Sequence, residues 1–263
     1  MRIPVLTFRQ SSMKRFALVL SAACMLALGC HAPGRLGSEH EVARPDKVLD
    51  FATLYKSNCA ACHGDNGRNG AAIPLANPVY LALATQGNLA NIIANGVPGK
   101  LMPPFAKSAG GMLTDQQVNV LVDGMLKSWS TPNLLASENF PSYGATLTGD
   151  PAHGQQAFTL ACARCHGADG QGTDAPQTPA DAKSSNLLGS GKIGSIVDPT
   201  YLTLLSDQYL RSLIVAGMPD RGMPDSRSDT SQPLTDQQIT DIVAWLAGHR
   251  TANPGQPYPT QSH

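Results

Sequence analysis

Apolar residues recur at helical spacing along this chain, and no convincing pair of alternating strands appears. Val48, Phe51, Ala52 and Tyr55 fall at i, i+3, i+4 and i+7, which predicts an amphipathic helix. Two shorter helices are predicted from matching apolar sets, each ended by a glycine: Leu89, Ile92 and Ile93 before Gly96, and Leu210, Leu213 and Ile214 before Gly217. The pattern indicates an all-α chain of short helices joined by Gly- and Pro-rich loops.

Two longer helices are the best marked, because each begins with the same capping signature. Thr114 and Gln117 have the spacing of a capping box, and Thr235 and Gln238 repeat it. The apolar positions that follow predict one buried face per helix, namely Val118, Leu121, Val122 and Met125 in one helix and Ile239, Ile242, Val243 and Leu246 in the other.

The chain contains an internal repeat. Leu113-Thr-Asp-Gln-Gln117 recurs 121 residues later as Leu234-Thr-Asp-Gln-Gln238. Nearer the start of each repeat the offset is 103, so the second copy carries 18 extra residues between Gly170 and Gly194. We predict two tandem domains at 46–129 and 150–250, a linker at 130–149, a disordered tail at 251–263 and a surface loop at the insertion.

The N-terminal segment has the features of an export signal. Lys14-Arg15 precedes an apolar run of about a dozen residues, too short to span a bilayer, and Met13 is an alternative start. Ala27-Leu28-Gly29-Cys30 resembles a bacterial lipobox, so residues 1–29 are predicted to be removed and Cys30 to carry a lipid, with ordinary cleavage as the alternative. Residues 30–45 would then tether the first domain to a membrane.

Composition narrows the function further. Formal charge is zero for the whole chain, and no basic patch points to nucleic acid. The chain has six cysteines, of which two, Cys24 and Cys30, lie in the N-terminal segment. Aromatic residues make up only 5% of the chain, which fits cores completed by a large apolar cofactor.

The other four cysteines form one motif twice. Cys59-Ala-Ala-Cys62-His63 recurs as Cys162-Ala-Arg-Cys165-His166, and this spacing is the attachment signature of c-type haem. A zinc knuckle would need four ligands within reach, and a thioredoxin-like dithiol would follow a strand of a βαβ unit. The chain therefore resembles a diheme member of the class I cytochrome c family, and the resemblance covers about residues 46–128 and 150–250.

This resemblance implies two haem c groups and a set of residues that hold them. Cys59, Cys62, Cys162 and Cys165 would attach the haems covalently, and His63 and His166 would each ligate one iron. The sixth ligands would come from a Met-Pro loop before the last helix, at Met102-Pro103 and Met223-Pro224.

Other candidates for the sixth ligand lack counterparts in the other repeat. Met218 aligns with Val97, and His153 and His249 align with Asp50 and Ser128. Met112 and Met125 are interpreted as core residues.

The resemblance also predicts a close helix crossing in each domain. Gly154 on the first helix of the second repeat faces Trp245 on the last, whereas Phe51 and Gly124 occupy the matching positions of the first repeat. We therefore expect Phe51 to fill the space over Gly124.

The expected function is single-electron transfer through two His/Met-ligated haems, between redox partners on the periplasmic side of a bacterial membrane. The alternative is a fixed cytochrome c subunit of a larger membrane oxidoreductase complex. An enzymatic role with one open haem site is disfavoured, because no acid–base pair or vacant ligand position is evident in the sequence.

Overall fold

The computed structural model describes residues 44–136, 140–174, 192–227 and 233–251. The predicted signal peptide, Cys30, nearly all of the tether, most of the insertion and all but the first residue of the tail lie outside the described residues. The described residues from Asp46 onward form one compact unit.

We refer to residues 46–129 as the first domain and 150–250 as the second. The first domain has five α-helices, α1 (Phe51–Asn58), α2 (Ala60–His63), α3 (Pro78–Leu83), α4 (Gln86–Asn95) and α5 (Asp115–Trp129). The second domain repeats this order with α6 (Pro151–Ala161), α7 (Ala163–His166), α8 (Pro199–Leu204), α9 (Asp207–Ala216) and α10 (Asp236–Ala247). Short 3₁₀ turns at Pro45–Lys47, Asp65–Gly67, Lys107–Ala109 and Pro219–Arg221 complete the helical segments.

The all-α prediction is confirmed, with one small addition. Residues Thr173–Asp174 (β1) and Lys192–Ile193 (β2) pair as a two-residue antiparallel ladder. The ladder joins the two ends of the predicted insertion. Asp174 and Lys192, the described residues on either side of 175–191, are therefore neighbours in this ladder.

Helix α1 begins later than the apolar periodicity predicted. The Asp50 side chain accepts a hydrogen bond from the Thr53 amide and caps the helix, which starts at Phe51. Val48 consequently lies before the helix, although it still packs against the first core. Ala52 is exposed, and the buried residues of α1 are Leu54 and Tyr55.

The capping boxes are confirmed in both domains. The Thr114 hydroxyl accepts from the Gln117 amide at 3.2 Å, and the Gln117 side chain accepts from the Thr114 amide at 3.0 Å. Thr235 and Gln238 repeat this arrangement at 3.2 and 2.9 Å. All eight residues predicted to form the buried faces of α5 and α10 are buried.

The predicted helix crossings are confirmed as well. A β-carbon added to Gly124 would lie 2.2 Å from the Phe51 ring, so this ring does fill the space over Gly124. In the second domain a β-carbon added to Gly154 would lie 2.0 Å from the Asp241 carbonyl oxygen and 2.9 Å from the Trp245 β-carbon. Helices α6 and α10 therefore approach each other through their backbones, whereas α1 and α5 are spaced by a phenylalanine ring.

The segment between the domains is tied to both of them. The Tyr143 ring lies 6.4 Å from the Tyr80 ring of the first domain, and the Tyr143 carbonyl accepts a hydrogen bond from Gln208 of the second. Arg211, only 2% exposed, donates to the Ser142 carbonyl and forms an ion pair with Asp236. The described part of the linker therefore packs along the domains rather than spanning open solvent.

None of the helices in the described ranges combines the length and the apolar character needed to cross a membrane.

Candidate haem-binding sites

In each domain the two cysteines and the histidine of the motif lie on one helical turn. The amides of Cys62 and His63 donate to the Cys59 carbonyl at 3.2 and 3.0 Å. The amides of Cys165 and His166 donate to the Cys162 carbonyl at 3.1 and 3.0 Å. Since one turn rises about 5.4 Å, both thiols and the imidazole can address the same bound group.

The imidazole of His63 is oriented by a backbone hydrogen bond. Its Nδ1 lies 2.8 Å from the Ile73 carbonyl oxygen, which can only accept, so Nδ1 carries the proton. The lone pair of Nε2 is left free for a metal. Burial lowers the pKa of His63, which favours the neutral ring that metal binding requires.

Among the described residues of the second domain, His166 has no equivalent of this hydrogen bond. Nδ1 of His166 is buried without a hydrogen-bond partner in the described part of the chain. Burial lowers the pKa of His166 too, so its ring also favours the neutral form. The two imidazoles therefore share a backbone position but differ in the group that would orient them.

The four motif cysteines are free thiols. Burial raises the pKa of both Cys59 and Cys162 to about 11, so these thiols stay protonated at neutral pH. Within the described ranges, no group of three or more His, Cys, Asp or Glu side chains is placed to hold a metal ion.

Met102 and Met223 occupy the same position of the same loop. The Val97 amide donates to the Met102 carbonyl at 2.9 Å, and the Met218 amide donates to the Met223 carbonyl at 2.8 Å. Both methionine side chains are partly buried, and Met102 packs against the first core.

A glycine at the end of the preceding helix makes each loop possible. Gly96 and Gly217 have φ values of +64° and +66°, which favour glycine. A β-carbon on either one would lie 2.5 Å from the backbone of the proline that follows the methionine. The Met-Pro segment therefore lies directly against the helix end in both domains.

Of the two methionines predicted to be core residues, Met125 and Met112, only Met125 is buried. Met125 is 2% exposed, as expected of a core residue, but Met112 is 80% exposed and its assignment to the core was wrong. Met112 follows the Gly110-Gly111 turn and precedes Leu113, which is buried at 5% and fills the inward position itself.

The two rival histidines have other surroundings. The side chain of His153 is 69% exposed and lies 3.7 Å from Asp150. His249 is partly buried, with Nδ1 2.9 Å from the Trp245 carbonyl oxygen and its ring against Trp245.

Sequence reasoning missed a set of polar residues that join the Met223 loop to the first domain. Arg68 forms an ion pair with Asp220, in which its Nη1 donates to both carboxylate oxygens at 2.9 and 3.0 Å. Asn77 of the first domain donates to two carbonyls at the start of that loop. The aligned repeats held one signal for the second contact, since Asn77 corresponds to Asp198, which has no amide to donate.

Each half of the chain matches a family model. Residues 151–250 match "Cytochrome c", and residues 46–123 match "Cytochrome C oxidase, cbb3-type, subunit III".

Several proteins of similar sequence are named as subunits of cbb3-type cytochrome c oxidases. The cbb3-type cytochrome c oxidase subunit FixP of Sinorhizobium medicae (strain WSM419) is 28% identical over 78% of this chain and 73% of its own length. Subunit CcoP of Azospirillum sp. (strain B510) is 28% identical over 68% of this chain. Subunit FixP of Rhizobium meliloti (strain 1021) is 30% identical over 62% of it. The chain spans 65% and 57% of the length of these last two relatives.

Among solved structures, the reducing HAO-like protein complex Kustc0457/Kustc0458 of Kuenenia stuttgartiensis matches 80% of this chain and all of the matched chain. Its sequence identity is 19% and its TM-score is 0.39, below the level that indicates a shared overall fold.

Proposed function

We propose that this chain, a diheme c-type cytochrome, relays single electrons as the membrane-bound cytochrome subunit of a cbb3-type terminal oxidase. The observation that carries the proposal is the duplication of one arrangement, a Cys-x-x-Cys-His turn and a Met-Pro loop, in two joined domains. The relatives are named as subunits of cbb3-type cytochrome c oxidases, which supports this oxidase as the partner and favours a fixed subunit over a mobile carrier.

The residues that would hold the haems follow from the two sites. Cys59 with Cys62, and Cys162 with Cys165, would form the thioether links, while the free Nε2 of His63 and of His166 would ligate the irons. When bound, haem c supplies an iron that takes up and releases one electron at a time. The lowered pKa values of His63 and His166, which favour neutral imidazoles, fit this donor set.

Met102 and Met223 would occupy the sixth positions. A thioether is a neutral, soft ligand that favours the reduced iron and raises the reduction potential above that of a bis-histidine haem. With both axial positions filled, the chain would carry electrons and leave the reaction with oxygen to its partner subunits. The fixed loop geometry supports this role, because electron transfer then needs little rearrangement.

Carbon monoxide binding to the fully reduced protein tests the ligand set. We expect no spectral change in the unaltered chain and one bound carbon monoxide per chain in Met102→Ala and in Met223→Ala, because each opens one iron. Met218→Ala is the matched control, since it removes a methionine from the same loop and should bind none. Carbon monoxide binding by the unaltered chain would contradict the proposal and point to an open, reactive haem.

Isolation of the tagged chain from detergent-solubilised membranes tests whether the oxidase is its partner. The catalytic subunit of an oxidase should co-purify in equal amount, because a fixed subunit has a larger interface than a transient carrier. Loss of the oxidase during washing would contradict the role as a fixed subunit.

We also propose that the chain sits on the periplasmic side of the membrane through a lipid on Cys30. In cells fed a tagged fatty acid, label should appear on the unaltered chain and on Cys24→Ser but not on Cys30→Ser. Label on Cys30→Ser would contradict the lipid on Cys30.

A further inference from the structure

The loop that carries Met223, residues 217–224, is attached to the first domain by charged side chains. Arg68 follows the first haem motif by five residues, and its Nη1 donates to both carboxylate oxygens of Asp220 in this loop. The neighbouring Arg221 donates to the Gly70 carbonyl at 2.5 Å. Two successive residues of the Met223 loop thus contact the segment that follows His63.

A buried amide fixes the start of the same loop. Asn77 is 2% exposed, and its Nδ2 donates to the Ala216 carbonyl at 2.8 Å and to the Gly217 carbonyl at 3.2 Å. Its Oδ1 accepts from the amides of Val79 and Tyr80 and caps α3. One side chain therefore joins a helix start in the first domain to the glycine on which the Met223 loop turns.

Apolar packing supports these polar contacts. Ala216 is 2% exposed and belongs to the core cluster of the first domain, although it ends α9 of the second. Leu213 and Tyr209 of the same helix pack against that cluster. The end of α9, which leads into the Met223 loop, is thus seated in the other domain's core.

The reverse attachment is much weaker. Lys100 aligns with Arg221 and donates from Nζ to the Thr203 carbonyl of the second domain at 2.7 Å. This is a single bond from a long, flexible side chain. Among the described residues, the side chain of Asp198, the counterpart of Asn77, hydrogen-bonds only within its own domain, where it caps helix α8 through the Tyr201 amide. The Met102 loop therefore depends far less on its neighbour than the Met223 loop does.

We infer that Asn77, with Arg68, positions the Met223 loop across the domain interface, so that the sixth ligand of the second haem is held in place by the first domain. The inference rests on the proposed ligand set. These residues act through the loop and touch neither haem nor iron. The dependence runs one way, so loosening the interface should open the second haem and leave the first closed.

The sharpest variant is Asn77→Asp. Aspartate caps helices as well as asparagine does, and Asp198 does so at the matching position. The carboxylate nevertheless has no amide to donate and would face the carbonyl oxygens of Ala216 and Gly217. Asp198→Asn is the matched control, because it makes the opposite exchange at a cap that makes no hydrogen bond across the interface within the described residues.

Carbon monoxide stoichiometry at neutral pH gives the result. Added to Met102→Ala, Asn77→Asp should raise binding from one to two per chain, whereas added to Met223→Ala it should leave binding at one. The single variant Asn77→Asp should bind one carbon monoxide per chain. In its oxidised form, the far-red sulfur-to-iron charge-transfer band should lose about half of its intensity, because one of two thioether ligands is released. Asp198→Asn should match the unaltered chain in every measurement.

A second variant covers the case in which Asn77→Asp does not accumulate. Asp220→Ala removes only the ion pair with Arg68 and should open the same haem with a weaker affinity for carbon monoxide. Asp207→Ala, which breaks the ion pair with Arg250 at 2.6 Å within the second domain, should have no effect. Unchanged binding in both Asn77→Asp and Asp220→Ala would overturn the inference. Carbon monoxide binding by the unaltered chain would instead overturn the proposed ligand set, so the two failures are distinguishable.

Discussion

Replacing Cys162 and Cys165 together by serine is expected to leave one covalent haem per chain instead of two. A serine hydroxyl does not form the thioether link to the porphyrin, and the motif of the first domain is unaffected by the change. The pyridine haemochrome absorbance per chain should halve, and the intact mass should fall by one haem beyond the change in side chains. A reductive titration should then take up one electron per chain.

The matched variant, Cys59→Ser with Cys62→Ser, should give the same stoichiometry but a smaller loss of stability. Cys59 and Cys162 each pack against the core cluster of their own domain, and among the described residues the cluster of the second domain is the smaller. The second domain therefore has less apolar surface to bury without its haem, which favours a larger fall in its melting temperature. Retention of two haems in either variant would contradict covalent attachment at the altered motif.

Local patterns predicted much of what positions the sites. The capping boxes, the glycines that end α4 and α9, and the buried faces of α5 and α10 all depend on residues within a few positions of one another. Such signals can be read directly from spacing. Comparison of the repeats added the Phe51–Gly124 contact, because a large and a small residue had exchanged places between two copies of one fold.

The contacts between the domains could not be predicted in this way. Asn77 lies 139 residues from the carbonyl of Ala216, and Arg68 lies 152 residues from Asp220. Each of these residues looks like an ordinary cap or surface charge in its own neighbourhood. The burial of Arg211 against Ser142 was invisible for the same reason, since a charged residue on a helix is usually exposed. Met112 was assigned to the core because it is apolar. After the turn at Gly110-Gly111, however, the inward position is filled by Leu113 and Met112 is exposed.

Alanine at Gly154 is expected to destabilise the second domain more than alanine at Gly124 destabilises the first. In an open helix the change from glycine would stabilise by about 1 kcal/mol, so any loss reflects the crossing. At Gly154 the new methyl group would meet the Asp241 backbone at 2.0 Å, and α6 and α10 must move apart along the domain's most extensive helix contact. We expect a loss of about 3 kcal/mol in the free energy of unfolding, at the upper end for overpacking.

The difference between the two crossings appears most clearly in the double variants. At Gly124 the obstacle is the Phe51 ring, so Phe51→Leu should recover part of the roughly 1–2 kcal/mol lost in Gly124→Ala. At Gly154 the nearest obstacle is backbone, so Trp245→Phe should recover nothing in Gly154→Ala. Urea unfolding of the haem-loaded protein, followed by circular dichroism, measures both pairs. Equal rescue in the two domains would mean that both crossings are spaced by side chains, whereas rescue at Gly124 alone would mean that only the second domain depends on direct backbone contact.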